Sequence, residues 1–207
     1  MSAPVLYSFP LSGHSHRARL FLSLLGIEHR VVDVALGKGE HKTDTFKAMN
    51  PFGQVPVLEH NGAYIWDSNA ILTYLAKTFD ARSTWLPDNP VQLASVQQWL
   101  SVAAGPLAYG PATARLVGIF GAKHDLDRAK SISESLFAVI DTILAKQEFL
   151  TGAMPTIADV AMYSYTARAP EGYVELTPFP NIRSWLARVE ALPGFVAMPV
   201  TEPKPRT

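Results

Sequence analysis

The sequence predicts a chain of two parts, an α/β part followed by an all-helical part. Up to residue 79, short apolar runs of the kind that form β-strands alternate with stretches of helical spacing. From residue 90 onward, the apolar residues recur at helical spacing alone. The prediction is therefore an α/β domain over residues 1–79, a linker over 80–89 and an all-helical domain over 90–207.

The elements predicted in the first part follow the order β-α-β-α-β-β-α. Four runs are expected to form strands and three to form helices: strands Val5–Phe9, His29–Val34, Val55–Glu59 and Ala63–Trp66, and helices Arg17–Leu25, Thr45–Met49 and Ser68–Lys77. Asn61-Gly62 favours a tight hairpin between the last two strands. This order is that of a thioredoxin-like domain.

The second part is predicted to contain a bundle of helices. Helical spacing covers Val91–Ala104, Leu126–Lys146 and Asn181–Leu192, and a further helix is expected to start after Thr156. The pattern of Thr156 followed three residues later by Asp159 is that of a capping box.

Three local signals in the second part concern where helices stop and start. The Gly-Pro pairs at 105–106 and 110–111 are expected to interrupt the continuation of the first helix. Asn181 is expected to cap the last helix. The tail over 201–207 contains two prolines and little apolar content, so we expect it to be loose.

The bulk composition excludes several classes of protein. The 207 residues include 18 basic and 18 acidic side chains, so the charge balance gives no reason to expect nucleic acid or a membrane surface as a partner. No run approaches the roughly 20 apolar residues of a membrane span, and the N-terminus lacks a basic region followed by an apolar one. A cytoplasmic protein is expected.

The chain contains no cysteine. Disulfides, thiolate metal ligands and a cysteine nucleophile are thereby excluded, and we expect no metal. Any thiol chemistry must use a sulfur that a ligand brings to the protein.

A His-Lys pair and a Val-Pro turn fall within one short stretch, residues 40–70. His41 offers a hydrogen-bond donor and Lys42 a positive charge, and both groups suit a carboxylate. A cis peptide bond between Val55 and Pro56 would leave the backbone N–H and C=O of Val55 free to pair with an extended peptide. The structural alternatives are a solvated basic loop and a trans proline at a strand edge.

An Asp-Ser pair lies where a strand meets a helix. We expect Ser68 to cap that helix, whose exposed N–H groups attract a carboxylate, and Asp67 to supply a negative charge for an amine. Helix capping alone is the structural alternative. Together with His41, Lys42 and Val55, the pair provides the groups needed to hold a small peptide with two carboxylates and a free amine, and glutathione is such a peptide.

The stretch EHKTDTFKAMNPFGQVPVLEHNGAYIWDSNA resembles the glutathione-binding half of a glutathione transferase, most closely the serine-type classes called phi and theta. The resemblance extends from Val5 to about Val196, and its NPFGQVP match implies that the Val55–Pro56 bond is cis. It implies three sets of glutathione contacts: His41 and Lys42 at the glycine carboxylate, Gln54 and Val55 at the cysteinyl backbone, and Asp67 and Ser68 at the γ-glutamyl end. Asp67 stands where the family usually has Glu.

The residues that follow the first strand are the candidates for activating a thiol. In the serine-type classes that the chain resembles, the residue in the place of Ser12 donates a hydrogen bond to the sulfur of glutathione. A free thiol has a pKa near 8.5, so a hydroxyl donor at the positive end of a helix favours the thiolate. Ser15, His14 and Tyr7 are alternative donors.

The remaining polar candidates lie on helices. Arg17 and Arg19 are expected to face solvent or to tie the first helix to neighbouring loops. Tyr109 and Arg115 are the candidates to orient a second substrate in a cleft between the two parts of the chain. Core packing is the alternative for Tyr109, and a solvated helix face is the alternative for Arg115.

The resemblance implies a glutathione transferase. Its expected partners are glutathione as co-substrate, an electrophilic and largely apolar small molecule, and a second copy of the chain in a homodimer. The expected reaction is attack by the thiolate on an electrophilic carbon. A glutathione-dependent peroxidase or isomerase on the same site is one alternative. A glutathione-binding interaction domain without turnover is the non-enzymatic alternative.

Overall fold

The computed structural model describes residues 2–204 and divides the chain into two compact units. The first comprises the residues up to Ser83 together with Leu192–Pro199. The second comprises Thr84–Ala191 and the tail from Val200. The segment Leu192–Pro199 thus packs with the first unit, although the sequence pattern assigned it to the helical part.

The first unit has the thioredoxin-like order predicted from the sequence. Its strands and helices are β1 Val5–Ser8, α1 Gly13–Leu24, β2 Arg30–Asp33, α2 Asp44–Met49, β3 Val57–His60, β4 Ala63–Trp66 and α3 Ser68–Phe79. Two short 3₁₀ turns, Leu36–Lys38 and Glu40–Lys42, lie between β2 and α2. Helix α1 begins before the predicted Arg17 because the side chain of Ser12 accepts the N–H of Ser15 and so caps an earlier turn.

The four strands form one mixed sheet in the order β2-β1-β3-β4. Strand β1 is parallel to β2 and antiparallel to β3, which in turn is antiparallel to β4. In this register Val57 at the start of β3 lies opposite both Tyr7 near the end of β1 and Trp66 at the end of β4. One end of the sheet therefore carries the carboxyl ends of β1, β2 and β4 and the amino end of β3.

Both faces of this sheet are covered. On one face, Val57 packs with Val34 and Phe46 of the α2 side, and the half-buried Tyr7 joins that cluster. Side chains alternate across a strand, so the fully buried cross-strand pair Leu6 and Leu58 lies on the opposite face, where α1 and α3 pack.

The second unit is helical, as predicted. Its helices are α4 Pro90–Ala104, α5 Thr113–Phe120, α6 Leu126–Leu144, α7 Ile157–Ala167 and α8 Pro180–Glu190. A π-helical turn over Ala108–Ala112, which contains Pro111, separates α4 from α5. The interruption predicted from the two Gly-Pro pairs is confirmed.

The start of α7 confirms the predicted capping box. The Thr156 hydroxyl accepts the N–H of Ala158, and the Asp159 carboxylate accepts the N–H of Thr156 at 2.9 Å. Asp159 also accepts from the backbone of Leu150 and from the indole N–H of Trp185, both at 2.9 Å. A single buried carboxylate thus ties the preceding loop and α8 to the start of α7.

The prediction that Asn181 caps the last helix is wrong. Helix α8 begins at Pro180, because proline is well suited to the first helical position. The cap comes instead from Asp141 of α6, whose carboxylate accepts the backbone N–H groups of Asn181 at 2.8 Å and Ile182 at 3.0 Å.

The tail is held to the second unit as far as it is described. The backbone N–H of Thr201 donates to Glu171 at 3.0 Å, and that of Lys204 donates to the Gly118 carbonyl at 2.9 Å. The Tyr173 hydroxyl donates to the carbonyl of Lys204. The expectation of a loose tail is therefore wrong for 201–204, and its last part, 205–207, lies outside the described residues. Over the described part of the chain, no helix combines the length and apolar character needed to cross a membrane.

Candidate functional site

The segments that carry the predicted ligand residues leave the sheet at the same end. Ser12 follows β1, the 41–42 pair follows β2, Val55 precedes β3 and Asp67 follows β4. The register described above places these four connections side by side. Helices α1 and α3 also begin at this end, so the positive ends of two helix dipoles point toward it.

The loop that carries His41 and Lys42 touches the loop before β3. Gly53 has a φ of +59°, and a Cβ built on it would lie 2.7 Å from the carbonyl oxygen of His41. Only glycine permits this close approach at this backbone conformation. His41 is half-buried and Lys42 is exposed, next to the turn formed by Val55.

The Val55–Pro56 peptide bond is cis, as predicted. Val55 precedes Val57, the first residue of the β3 ladder. Asn50 holds this turn, a role that was not predicted from the sequence. The buried Asn50 donates through Nδ2 to the Gln54 carbonyl at 2.8 Å, and its Oδ1 accepts the N–H of Phe52 at 3.0 Å. The Asn-Pro-Phe-Gly run is the signal from which this role could have been found.

Asp67, not Ser68, caps α3. Its carboxylate oxygen Oδ1 accepts the N–H groups of Asn69 at 2.9 Å and Ala70 at 3.0 Å, and its φ is +68°. The predicted cap at Ser68 is wrong because the carboxylate one position earlier takes that role. Ser68 is instead the buried first residue of the helix.

Arg17 lies beneath the start of α3. Its guanidinium nitrogen Nη1 is 3.0 Å from Ser68 Oγ, 3.3 Å from Asn69 Oδ1 and 3.2 Å from His14 Nδ1. The residue is only 1% exposed, so of its two expected positions the solvent-facing one is wrong, and its contacts instead tie α1 to the start of α3. The packing of α1 against α3 encloses it, and a local sequence pattern carries no signal of that contact.

His14 is neutral at physiological pH in this environment. Burial, and secondly the positive charge of Arg17, lower its pKa from 6.5 to about 3. Its Nδ1 lies 3.1 Å from Ser68 Oγ. The buried Arg17 and Ser68 and the half-buried His14 therefore form one polar group at the start of α1 and α3.

Ser12 stands at the N-cap of α1. Its Oγ accepts the N–H of Ser15 at 3.2 Å, its φ of −86° and ψ of 119° are extended, and the residue is half-buried. A hydroxyl that accepts a hydrogen bond still has its own hydrogen to donate. Ser12 is thus placed to donate to an anion at the positive end of α1.

The alternative donors on the same stretch are differently engaged. Ser15 is 1% exposed, and its Oγ accepts the N–H of Phe9 at 3.2 Å. Tyr7 lies on the α2 face of the sheet with its hydroxyl 3.5 Å from Glu59. Burial and the Glu59 charge raise the pKa of the Tyr7 hydroxyl, which weakens it as a hydrogen-bond donor.

The two candidates for the second substrate differ sharply in exposure. Tyr109 lies in the π-helical turn and is 68% exposed. Arg115 is 2% exposed, and its Nε donates to Glu171 at 2.6 Å in a buried ion pair. Leu116 and Phe120, one turn apart on α5, are also exposed and give that helix an apolar stripe.

Comparison with known proteins identifies the family. Residues 4–77 match the glutathione S-transferase N-terminal domain, and residues 123–188 match the glutathione S-transferase C-terminal domain. Maleylacetoacetate isomerase of Rattus norvegicus is 31% identical over 205 residues, which are 97% of this chain and 94% of that protein.

Solved structures agree with these matches. A glutathione S-transferase from Pseudomonas fluorescens Pf-5 superposes with a TM-score of 0.90 at 31% identity, over 95% of this chain and 99% of the other. A possible glutathione S-transferase from Rhodopseudomonas palustris gives a TM-score of 0.87 at 35% identity, over 97% and 100% of the two chains. The fold and the matched domains define an enzyme that transfers groups to glutathione. The chain belongs to the glutathione S-transferase family.

Proposed function

We propose that this glutathione transferase is of the serine type, with the Ser12 hydroxyl donating a hydrogen bond to the sulfur of glutathione. The donor and the positive end of α1 together favour the thiolate over the thiol. The proposal is supported by the half-buried position of Ser12 at the helix cap and by the different engagement of Ser15 and Tyr7.

Three sets of contacts are proposed to hold the rest of glutathione. His41 and Lys42 bind the glycine carboxylate, the backbone of Val55 pairs with the cysteinyl residue, and Gln54 lies beside it. At the γ-glutamyl end, the Asp67 carboxylate binds the ammonium group and Ser68 binds the carboxylate. The single observation that carries this proposal is that the connections bearing these residues leave the sheet side by side at the end where α1 and α3 begin.

The thiolate attacks an electrophilic carbon of the second substrate and forms a carbon–sulfur bond. The leaving group departs with its electron pair, and the thiol proton is lost to solvent. We assign the exposed Tyr109 and the apolar stripe of α5, formed by Leu116 and Phe120, to the binding of that substrate. Arg115 is left out of this site because its guanidinium is enclosed with Glu171.

The protein is further proposed to act as a cytoplasmic homodimer in the detoxification of electrophiles. Family membership supports this part of the proposal. Neither a metal nor a nucleic acid is assigned a role. Sedimentation equilibrium of the purified chain tests the dimer, and a mass of one chain of 22.6 kDa would contradict it.

The experiment that tests the chemistry is a titration of the ultraviolet thiolate absorbance of bound glutathione. The wild-type protein is expected to give a pKa well below the free-thiol value of about 8.5. Ser12→Ala is expected to raise that pKa toward the free value while glutathione remains bound, and Ser15→Ala is the matched control. A thiol pKa that is unchanged in Ser12→Ala but raised in Ser15→Ala or His14→Ala would contradict the assignment of Ser12.

A further inference from the structure

The hydrogen-bond donors and acceptors around Arg17 fix the tautomer of His14. A guanidinium group can only donate, and Nη1 of Arg17 lies 3.2 Å from His14 Nδ1. Nδ1 must therefore present its lone pair, so the single ring proton is on Nε2. The Asn69 amide is oriented by the same rule, with Oδ1 toward Nη1 at 3.3 Å.

The direction of the hydrogen bond between Ser68 and His14 follows from that tautomer. Ser68 Oγ lies 3.1 Å from His14 Nδ1 and 3.0 Å from Arg17 Nη1. Because Nδ1 cannot donate, the Ser68 hydroxyl is the donor of this pair and shares the single lone pair of Nδ1 with Arg17 Nη1. Because Arg17 only donates, the same oxygen accepts from the guanidinium. In this arrangement the hydroxyl hydrogen of Ser68 points to the interior.

Binding of a carboxylate at the start of α3 requires this hydrogen to turn. A carboxylate is an acceptor, so Ser68 can bond to it only by swinging its hydrogen away from His14. The contact between Arg17 Nη1 and His14 Nδ1 persists through that rotation, so the half-buried Nδ1 keeps a donor. An acceptor shielded from water that loses its donors costs stability in the bound state, so Arg17 makes the rotation easier.

We propose that Arg17 is a positioning residue for glutathione binding: it continues to donate to His14 Nδ1 when the Ser68 hydroxyl hydrogen turns from that nitrogen to the γ-glutamyl carboxylate. The inference rests on the proposed function, because the carboxylate is that of glutathione. The lowered pKa of His14 agrees with an unprotonated Nδ1. Arg17 acts through Ser68 and His14, and its own contacts lie behind the site.

The first arm of the test is nitrogen-15 NMR of the histidine side chains of the wild-type protein at neutral pH, without glutathione. The His14 signal is expected to show an unprotonated Nδ1 and a protonated Nε2, and Nδ1 is expected to shift when glutathione is added. A Nδ1–H tautomer or a doubly protonated ring at neutral pH would overturn the proposal. This arm needs no variant, so it decides even if an Arg17 variant fails to fold.

The second arm measures glutathione affinity by calorimetry in Arg17→Met, Arg17→Lys and the matched control Arg19→Met. Arg19 lies on the same helix, but its Nη2 donates to the Ala197 carbonyl at 3.1 Å. Arg17→Met is expected to weaken binding by about ten- to a hundredfold, the range for leaving a buried group without its partner. Arg17→Lys is expected to recover part of the loss, because an ammonium can still donate to both acceptors.

The outcomes separate the inference from the proposed function. A folded Arg17→Met that binds glutathione as tightly as Arg19→Met and the wild type would overturn the role of Arg17. A wild-type protein that binds no glutathione would instead overturn the proposed binding site, while the tautomer of His14 would still report whether Arg17 holds the ring as inferred.

Discussion

At the residue scale, Asp67 and Ser68 have separate roles, although the sequence pattern predicted that Ser68 caps α3. The Asp67 carboxylate caps α3 through the N–H groups of Asn69 and Ala70. Ser68 is thereby left to interact with Arg17 and His14. Because the cap uses Oδ1, the second oxygen of Asp67 is the one that the proposed ammonium contact would use.

Asp67→Asn is expected to separate these two roles. Asparagine caps helices about as well as aspartate, so the melting temperature should stay within about a degree of the wild type. The loss of the negative charge should weaken glutathione binding about two- to fivefold, since an exposed ion pair contributes ~0.2–1 kcal/mol. Calorimetry and thermal unfolding measured on the same samples check both parts. Unchanged affinity would show that Asp67 only caps.

The lowered pKa of His14 predicts a pH dependence of stability. The folded-state pKa of about 3 lies below the unfolded value near 6.5, so only the unfolded chain takes up a proton between these values. The stability that the neutral His14 ring provides is fully present above pH 6.5 and is lost progressively as the pH falls toward 3. At pH 5 the free energy of unfolding is lower by about 2 kcal/mol, because each pH unit below the unfolded-state pKa costs ~1.36 kcal/mol.

Denaturant unfolding of wild type and His14→Asn at pH 7 and pH 5 measures this effect. The variant is expected to lose part of the pH dependence, because asparagine does not titrate in this range. The same substitution at the exposed His124 controls for removing an imidazole. A wild-type slope that persists in His14→Asn would show that other groups carry the pH dependence.

At the element scale, the glutathione-side loops depend on one close backbone contact. Gly53 combines a φ of +59° with a Cβ position 2.7 Å from the His41 carbonyl oxygen. Gly53→Ala is therefore expected to cost about 1–2 kcal/mol for the left-handed backbone alone and, in addition, to push the His41 loop away. Both the free energy of unfolding and the glutathione affinity should fall.

A glycine at the hairpin turn provides the matched control for this prediction. Gly62 has a φ of +79°, but a Cβ there would meet nothing within 4 Å. Gly62→Ala should lower stability by the backbone cost and leave glutathione affinity unchanged. Equal affinities in the two variants would mean that the contact with His41 does not shape the site.

The elements that sequence reasoning found are those whose signals are local. The capping box at Thr156 and the hairpin at Asn61-Gly62 each depend on a few consecutive residues, whereas the cis Val55–Pro56 bond was predicted from the family resemblance. The polar group around Arg17 was missed because its partner Ser68 is 51 positions away along the chain. The start of α8 was misplaced for the same reason, since its cap comes from Asp141, 40 positions earlier than Asn181.

At the scale of the whole molecule, Arg115 distinguishes a structural charge from a substrate contact. Its pair with Glu171 is buried, and Glu171 also accepts the N–H of Thr201 in the tail. Arg115→Met is expected to lower the free energy of unfolding by about 3 kcal/mol, the lower end of the range for breaking a buried ion pair, because Glu171 loses its close cation but retains Arg168, whose Nε lies 3.7 Å from its Oε1. The KM for an electrophile should stay within about twofold of the wild type.

Tyr109→Ala is the variant to compare with Arg115→Met in stability and in the KM for an electrophile. Tyr109 is largely exposed, so its loss should change stability little and raise the KM for an apolar electrophile. Steady-state kinetics with saturating glutathione and denaturant unfolding together assign each residue. A raised KM in an Arg115→Met protein of unchanged stability would show that Arg115 contributes to substrate binding.

The first unit is discontinuous in sequence, because it includes the segment Leu192–Pro199. Three side chains of α1 hold it: His16 donates to the Val196 carbonyl at 2.9 Å, Arg19 to that of Ala197 at 3.1 Å and Ser23 to that of Gly194 at 2.6 Å. On the ribosome, these partners emerge only after Thr84–Ala191 of the second unit has been synthesised. At a synthesis rate of ~5–20 residues per second, these partners follow α1 after a delay on the order of ten seconds. Nascent chains arrested at residue 83 lack them and should be cut by protease more readily than full-length chains.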